Sequence, residues 1–265
     1  MKKAFVIGIL AVLSVHLSFS QKNVKPIISS HNFSTKLELW ESIGTGIINF
    51  QADVMYIYGS LYVTPVMPDS ANHKMPTLME AYVYPLYNQY KKNNGEIIPG
   101  YQGDVFLILN FVAQPVQIYR KLASELSPLA EMITYKIESA DHQGKLRILI
   151  KDKMQYEKIN SIKPCFMGLV GDLNDIDKNI DSKKMPLIEV DFNEVSSWKG
   201  TGNIPFEDFM KIKDMIAKVH SQNKKFSLNN CPSNKAVADF IKTSKADFIN
   251  TPEAIRMAEF FEGTK

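Results

Sequence analysis

Two polar residues, Gln51 and Asp53, stand close together in an otherwise apolar segment, IINFQADV at positions 47–54. Residues two apart on a strand share a face, so both side chains are expected to point the same way. A carboxylate on an apolar strand is costly unless it is hydrogen-bonded, ion-paired or bound to a cation. The segment alone leaves two interpretations of Asp53: a ligand for a divalent cation, or a cap for loop N–H groups.

Polar residues also end most of the other apolar segments. His31 directly follows the first of them, and an imidazole titrates near neutral pH, which suits proton transfer; a surface or helix-capping histidine is the alternative. Amides and carboxylates at the remaining ends suit a cation or a hydroxylated ligand. The candidate binding residues at these ends are Asn32, Asn110, Lys151, Asp152, Asp172, Asp191, Asn229, Asn230 and Asn250.

Short apolar, β-branched segments recur along the chain and predict eight strands. They cover residues 25–30, 47–54, 104–111, 145–151, 166–172, 186–192, 224–230 and 246–251. Helical patterns or polar connections separate them, and eight such repeats predict a (β/α)8 TIM barrel, with a doubly wound open sheet as the alternative. In a barrel the carboxyl ends of the strands meet at one mouth, where the polar residues would gather.

Helices are predicted within residues 34–46, 114–133, 205–225, 232–245 and 251–263. Ser34 or Thr35 suits the N-cap of the first, and Thr251 with Pro252 suits the start of the last. Residues 55–103 do not fit one strand–helix unit; they predict a hairpin around Gly59 and Ser60, then a long excursion over one face of the barrel. Residues 21–265 are therefore expected to form a single domain.

The first twenty residues have the pattern of a secretory signal peptide. Two lysines precede an apolar run that is too short to span a membrane, and small residues lead to a plausible cleavage point after Ser20. An uncleaved anchor is the alternative. We expect export to the periplasm or the medium, without stable membrane insertion.

Charge argues against a nucleic-acid partner. The chain has 31 Lys and Arg and 28 Asp and Glu, and removal of residues 1–20 takes away only Lys2 and Lys3. The mature protein is then nearly neutral and has no basic surplus to attract phosphate backbones. A small-molecule ligand is the expected partner, bound by a monomer or a weak dimer.

Two cysteines, Cys165 and Cys231, allow one disulfide in an oxidising compartment. The strand prediction places them at opposite ends of neighbouring strands, beyond the distance of about 7 Å between Cα atoms that a disulfide permits. We therefore expect two free thiols, and a disulfide is the alternative.

Four segments together resemble the PLC-like phosphodiesterases, the barrel shared by glycerophosphodiester phosphodiesterases and phosphatidylinositol-specific phospholipases C. They are SHN at 30–32, the pattern from Gly46 to Val54, GSLYV at 59–63 and ADFINTPEAIRMAEFF at 246–261. The chain looks most similar to the branch named after altered inheritance of mitochondria. The resemblance spans nearly all of the mature sequence and implies the same barrel.

This resemblance implies a metal-assisted hydrolysis site that is only partly present. Active members carry a histidine after strand one, a Glu-x-Asp pair on strand two, a second histidine after the next strand and a further acid on strand three. His31 matches the first histidine and Asp53 the Asp of the pair. Gln51, Pro65 and Asn110 stand in place of the Glu, the second histidine and the third acid.

Two functions follow from these matches and losses. One is hydrolysis of glycerophosphodiesters or lipid headgroups at a displaced site, with Ca²⁺ or Mg²⁺ as cofactor. At such a site Asp152, Asp172 or Asp191 would supply the cation ligands, and His73 would replace the missing histidine. The alternative is a barrel without catalysis or cofactor that binds a polyol, a sugar or a phospholipid headgroup in the same mouth. In that case the amides recognise hydroxyl groups.

Overall fold

The computed structural model describes residues 24–68, 75–138 and 140–262. The predicted signal peptide and His73 lie outside these ranges. In this part of the chain the strands are β1 (Ile27–Ser29), β2 (Asn49–Ile57), β3 (Ser60–Val63), β4 (Val105–Phe111), β5 (Tyr135–Ile137), β6 (Ala140–His142), β7 (Leu146–Ile150), β8 (Met167–Gly171), β9 (Leu187–Asp191), β10 (Lys225–Asn229) and β11 (Phe248–Thr251).

Eight of these strands form a closed parallel barrel, so the (β/α)8 prediction is confirmed and the open-sheet alternative is wrong. The order around the barrel is β1, β11, β10, β9, β8, β7, β4 and β2, and β1 pairs with both β11 and β2. Ile28 shows the closure in one residue, because it pairs with Asn250 on one side and Asn49 on the other. Each of the eight predicted strands is present.

Helices follow the strands around the outside of the barrel. They are α1 (Lys36–Gly44), α2 (Tyr84–Lys92), α3 (Pro115–Leu126), α4 (Lys153–Ile159), α5 (Phe192–Val195), α6 (Phe206–Ser221), α7 (Lys235–Ser244) and α8 (Ala254–Glu262), with a π-helical turn at Met79–Val83 and 3-10 turns at Ser127–Met132 and Leu173–Asp175. Thr35 is the N-cap of α1, since its hydroxyl accepts from the Glu38 N–H at 3.3 Å. The five predicted helices are confirmed.

The inside of the barrel has its own small apolar core, separate from the larger core between strands and helices. It consists of Ile28, Phe106, Ile108, Leu149, Val170, Leu187 and Phe248. Inward-facing residues alternate along a strand, so the next inward positions toward the carboxyl ends are the polar residues two further on. This apolar plug therefore supports a polar layer at the mouth.

The predicted hairpin is confirmed as the antiparallel pair β2 and β3. Tyr58 and Gly59 form its turn, and their φ values of 46° and 88° suit the type of two-residue turn that matches strand twist. β2 pairs with β4 only from Phe50 to Val54, so its last three residues extend past the barrel mouth.

Cys165 and Cys231 are both buried, free thiols. The sequence placed them beside neighbouring strands, and this detail is wrong. Cys165 precedes β8 and Cys231 follows β10, with β9 between these strands. Among the described residues, no helix is long and apolar enough to cross a membrane.

Candidate functional site

Asp53 is held at the mouth by two side-chain amides. The Asn32 amide donates to one carboxylate oxygen at 2.8 Å, and the Asn110 amide donates to the other at 2.8 Å. Asn32 also accepts from the Asp53 backbone N–H at 2.8 Å, so these two residues are joined by a pair of hydrogen bonds. Both oxygens of the Asp53 carboxylate are therefore satisfied by neutral donors. This arrangement agrees with the interpretation of Asp53 as a capping residue, except that the donors are side-chain amides and not loop N–H groups.

His31 and the Thr64–Pro65 dipeptide stand on either side of this cluster. The His31 side chain is 59% exposed, and its Nε2 lies 4.0 Å from a Glu38 carboxylate oxygen. The Thr64 N–H donates to the Asp53 carbonyl at 3.0 Å, which brings Pro65 to the mouth, where it offers no group for proton transfer. His31 is thus the one histidine that the described residues bring beside Asn32 and Asp53.

The position of His31 is set by an aromatic anchor below it. Tyr82 donates its hydroxyl proton to the His31 carbonyl at 3.3 Å and accepts from the Phe33 N–H at 3.0 Å. Phe33 stacks on the Tyr82 ring with centroids 5.4 Å apart. Burial raises the pKa of Tyr82 far above its usual range, so this hydroxyl remains a donor at all ordinary pH values.

Deeper in the barrel, Gln51, Asn250 and Glu189 form a second polar group. The Asn250 amide donates to the Gln51 oxygen at 2.9 Å and to a Glu189 oxygen at 2.7 Å. These residues come from β2, β11 and β9, so the contacts cross the barrel interior. Gln51 and Asp53 share a face as predicted, but they belong to different clusters.

Glu189 is a polar residue of this second cluster that was not predicted from the sequence. It is buried, it forms a close ion pair with Lys151, which directly follows β7, and it accepts from the Asn229 amide at 3.0 Å. A signal was present: Glu189 lies two residues before Asp191 in PLIEVDF, so it faces inward from an apolar strand. Lys151 and Glu189 compensate each other's charge, which leaves Asp53 as the uncompensated charge of these two clusters.

Two buried amide oxygens at this site have no hydrogen-bond donor. They are the Oδ1 atoms of Asn229 and Asn250, and no described residue donates to either. Such an oxygen costs about 1–3 kcal/mol unless water or a ligand donates to it. The chemistry of the site therefore favours a group that carries hydroxyl protons.

Three further predicted carboxylates cap the elements that follow their strands. Asp152 accepts from the Gln155 N–H, Asp172 accepts from the Asn174 N–H and the Lys153 ammonium, and Asp191 accepts from the Asn193 N–H and the Asn230 amide. Burial alone would raise the pKa of Asp191, but the hydrogen bonds from Asn193 and Asn230 outweigh burial and lower it. No hydrogen bond or ion pair joins these three to Asp53 in the described part of the chain.

Asp175 ends the 3-10 turn that Asp172 begins, and the two carboxylates form a capping box. Asp175 is buried and lies 2.5 Å from the Lys153 ammonium and 3.0 Å from that of Lys178. Burial by itself would raise the pKa of Asp175, but the bonds from Lys153, Lys178 and the Asp172 N–H lower it to about 2. This cluster fixes the loop beside the mouth.

The residues at the mouth do not fit a hard divalent cation. Ca²⁺ and Mg²⁺ prefer several anionic oxygens, whereas amide N–H groups occupy both Asp53 oxygens and Lys151 neutralises Glu189. Within residues 24–68, 75–138 and 140–262, no three His, Cys, Asp or Glu side chains are grouped closely enough to hold a metal ion.

Comparison with known proteins gives no match to any protein-family model. No curated protein sequence matches the chain either. The solved structures that resemble it include two from Agrobacterium tumefaciens strain C58. A glycerophosphodiester phosphodiesterase has 13% identity and a TM-score of 0.49, over 88% of this chain and 99% of that one. A putative glycerophosphoryl diester phosphodiesterase has 7% identity and a TM-score of 0.45, over 89% and 97%. Strand pairing within this chain establishes the barrel independently of both.

Proposed function

We propose that the barrel mouth binds a polyol, a sugar or a phospholipid headgroup without hydrolysing it. The observation that carries this proposal is the pair of amide donors on Asp53, 2.8 Å from each carboxylate oxygen. These two amide groups occupy the positions from which a cation would approach the Asp53 oxygens. On this reading the chain is an exported relative of the PLC-like phosphodiesterases that has kept the barrel and needs no metal.

The inner cluster supports a hydroxylated ligand. Hydroxyl groups donate and accept, and the buried oxygens of Asn229 and Asn250 lack donors. Lys151 is 30% exposed beside Glu189, so its ammonium can also meet an anionic group such as a phosphate. The mouth thus offers both kinds of contact that a phosphorylated polyol requires.

Phosphodiester hydrolysis is the second candidate, and His31 favours it. An exposed imidazole 4.0 Å from the Glu38 carboxylate is placed to exchange protons with a ligand in the mouth. The family resemblance points to the same chemistry, with Ca²⁺ or Mg²⁺ as the expected cofactor. This candidate requires a second proton-transfer group and additional cation ligands.

One set of measurements on the mature chain separates the two. Calorimetric titration with myo-inositol and with glycerophosphocholine is expected to show saturable binding, weakened about tenfold or more by Asn250→Leu. Asn88→Leu, at an exposed position on α2, is the control and should bind normally. Failure of both probes to bind would contradict the binding proposal.

Hydrolysis of glycerophosphocholine is followed in parallel with Ca²⁺, Mg²⁺ or EDTA. We expect the release of choline to equal that of the His31→Ala variant under all three conditions. Metal-dependent release that His31→Ala abolishes would establish the second candidate instead.

A further inference from the structure

A cavity of about 510 Å³ opens at the N-terminal ends of β7 and β8, at the opposite end of the barrel from Asp53. The β5–β6 hairpin forms one wall and the last turn of α4 another. Regular pairing of β8 with β9 ends near this opening. It covers only Val170 and Gly171, and below them the Leu169 N–H donates to the Lys184 carbonyl, on the segment that precedes β9, at 2.8 Å.

The lining of this cavity is rich in cations. Five basic side chains and two acidic ones line it, a surplus of three positive charges before the ion pairs that Arg147 and Lys184 make with Asp104 and Glu157 are counted. The basic residues are Lys136, Arg147, Lys163, Lys183 and Lys184, and the acidic ones are Asp141 and Asp181. Such a concentration attracts anions to a concave site.

Arg147 is the most buried of these cations, and its terminal N–H groups are only partly used. Its side chain is 16% exposed, and its Nε forms an ion pair with an Asp104 oxygen at 2.6 Å. One terminal nitrogen donates to the Gln143 oxygen at 3.4 Å. No other described residue accepts from this guanidinium, whose five N–H groups form a planar fork suited to phosphate or carboxylate.

The hydroxyl of Tyr156 is a second donor in the lining of this cavity. Its side chain is nearly enclosed, and its hydroxyl makes no hydrogen bond to any residue in the described ranges. Burial raises the pKa of Tyr156 far above its usual range, so the hydroxyl keeps its proton. The Lys184 ammonium lies 5.2 Å from the centre of the Tyr156 ring and adds charge at this wall.

The lysines differ in how far they are already neutralised. Lys183 pairs with Asp141 at 2.7 Å, and Lys184 lies 3.5 Å from Glu157. Among the residues that the structure describes, Lys163 donates only to the Asn160 carbonyl, at 2.8 Å. Within the described residues, neither Lys136 nor Lys163 has a carboxylate within ion-pair distance. These two ammonium groups remain for a ligand.

We propose that this cavity is a second binding site, specific for a small anion that carries more than one phosphate group. Arg147 and Tyr156 supply directed donors from the walls, and Lys136 and Lys163 supply charge at the opening. β7 has five residues at about 3.3 Å each, which sets this site roughly 15 Å from the mouth. It is independent of the function proposed above, and both sites can be filled together.

Calorimetric titration of the mature chain with inorganic pyrophosphate at constant ionic strength tests the site. We expect a single site with Kd below about 1 mM, weakened about tenfold or more in the Lys136→Gln/Lys163→Gln double variant. Both lysines are exposed, so this variant is expected to fold normally. Arg147→Lys, which keeps the charge and loses the fork, is expected to weaken binding as well.

A charge-matched control identifies the location. Lys36→Gln/Lys92→Gln removes the same charge from exposed positions elsewhere and should leave Kd unchanged. Absence of pyrophosphate binding would overturn the proposal. Equal weakening by the two double variants would also overturn it, because the attraction would then come from net charge alone.

Discussion

Asp53 and Asn110 are direct register partners on β2 and β4, and the Asn110 amide donates a 2.8 Å hydrogen bond to the Asp53 carboxylate. A second carboxylate at position 110 would place two negative charges on neighbouring strands, an arrangement that requires a cation between them. The Asn110 amide at this position stabilises the Asp53 carboxylate without a cation. The residue types at this pair thus determine whether the mouth needs a metal.

Replacing Asp53 with Asn tests this relationship through stability. The amide keeps the shape but offers one acceptor, and its NH2 group faces another NH2 group from Asn32 or Asn110. We expect the free energy of unfolding to fall by about 1–3 kcal/mol in urea denaturation. The exposed Asp177→Asn variant should change it by less than about 0.5 kcal/mol. Equal effects of both variants would show that the amide clamp contributes nothing.

Introducing acids at positions 51 and 110 is expected to create cation binding. Gln51→Glu with Asn110→Asp changes the formal charge at the three positions from −1 to −3, which suits a hard divalent cation. We expect the double variant to gain thermal stability in millimolar Ca²⁺ and to lose it in EDTA, because only the folded state offers the site. Gln117→Glu with Asn88→Asp, at exposed positions on α3 and α2, is the charge-matched control. A double variant whose stability does not respond to Ca²⁺ would mean that the backbone at the mouth does not suit a cation.

The barrel itself was predictable because each strand is a short apolar segment with its own boundary signals. Parallel strands are buried on both faces, and this makes IINFQADV and DVFLILNF distinctive even without alternation. Closure of the barrel was predictable from the number of strand–helix repeats, which is eight, and not from any single repeat. The hairpin at Gly59 was equally predictable, since a two-residue turn requires positive φ.

The partners of each polar residue were not predictable in the same way. Register and barrel stagger decide that Asn250 meets Gln51 and Glu189 across the interior while Asp53 meets Asn32 and Asn110. Strand ends alone carry no such information. Glu189 was not predicted because the candidate residues were taken from the ends of strands, and Glu189 lies two residues before the end of β9.

The buried pair of Glu189 and Lys151 is expected to respond asymmetrically to mutation. Glu189→Gln leaves the Lys151 ammonium without its carboxylate. Because this ammonium is 30% exposed and so partly solvated, we expect a loss of about 1–2 kcal/mol in the free energy of unfolding. Lys151→Met with Glu189→Gln removes both charges and should recover part of that loss. Replacing Asp239 of the exposed Lys235–Asp239 pair by Asn should cost less than about 1 kcal/mol. A double variant as unstable as Glu189→Gln would show that the packing of Glu189, and not its charge, matters.

Asp175 makes the stability of the chain depend on acid pH. Its pKa is lowered from 3.8 to about 2 in the folded state, because the bonds from Lys153, Lys178 and the Asp172 N–H outweigh burial. A lowered carboxyl pKa stabilises the fold above the unfolded value, and this stability is lost as the pH falls from about 4 toward 2. The contribution is about 2 kcal/mol. Urea denaturation between pH 5 and pH 2 should therefore show a steeper loss of stability in the wild type than in Asp175→Asn. In Asp177→Asn, the exposed control, the slope should match the wild type. Parallel curves for the wild type and Asp175→Asn would place the acid sensitivity in other carboxylates.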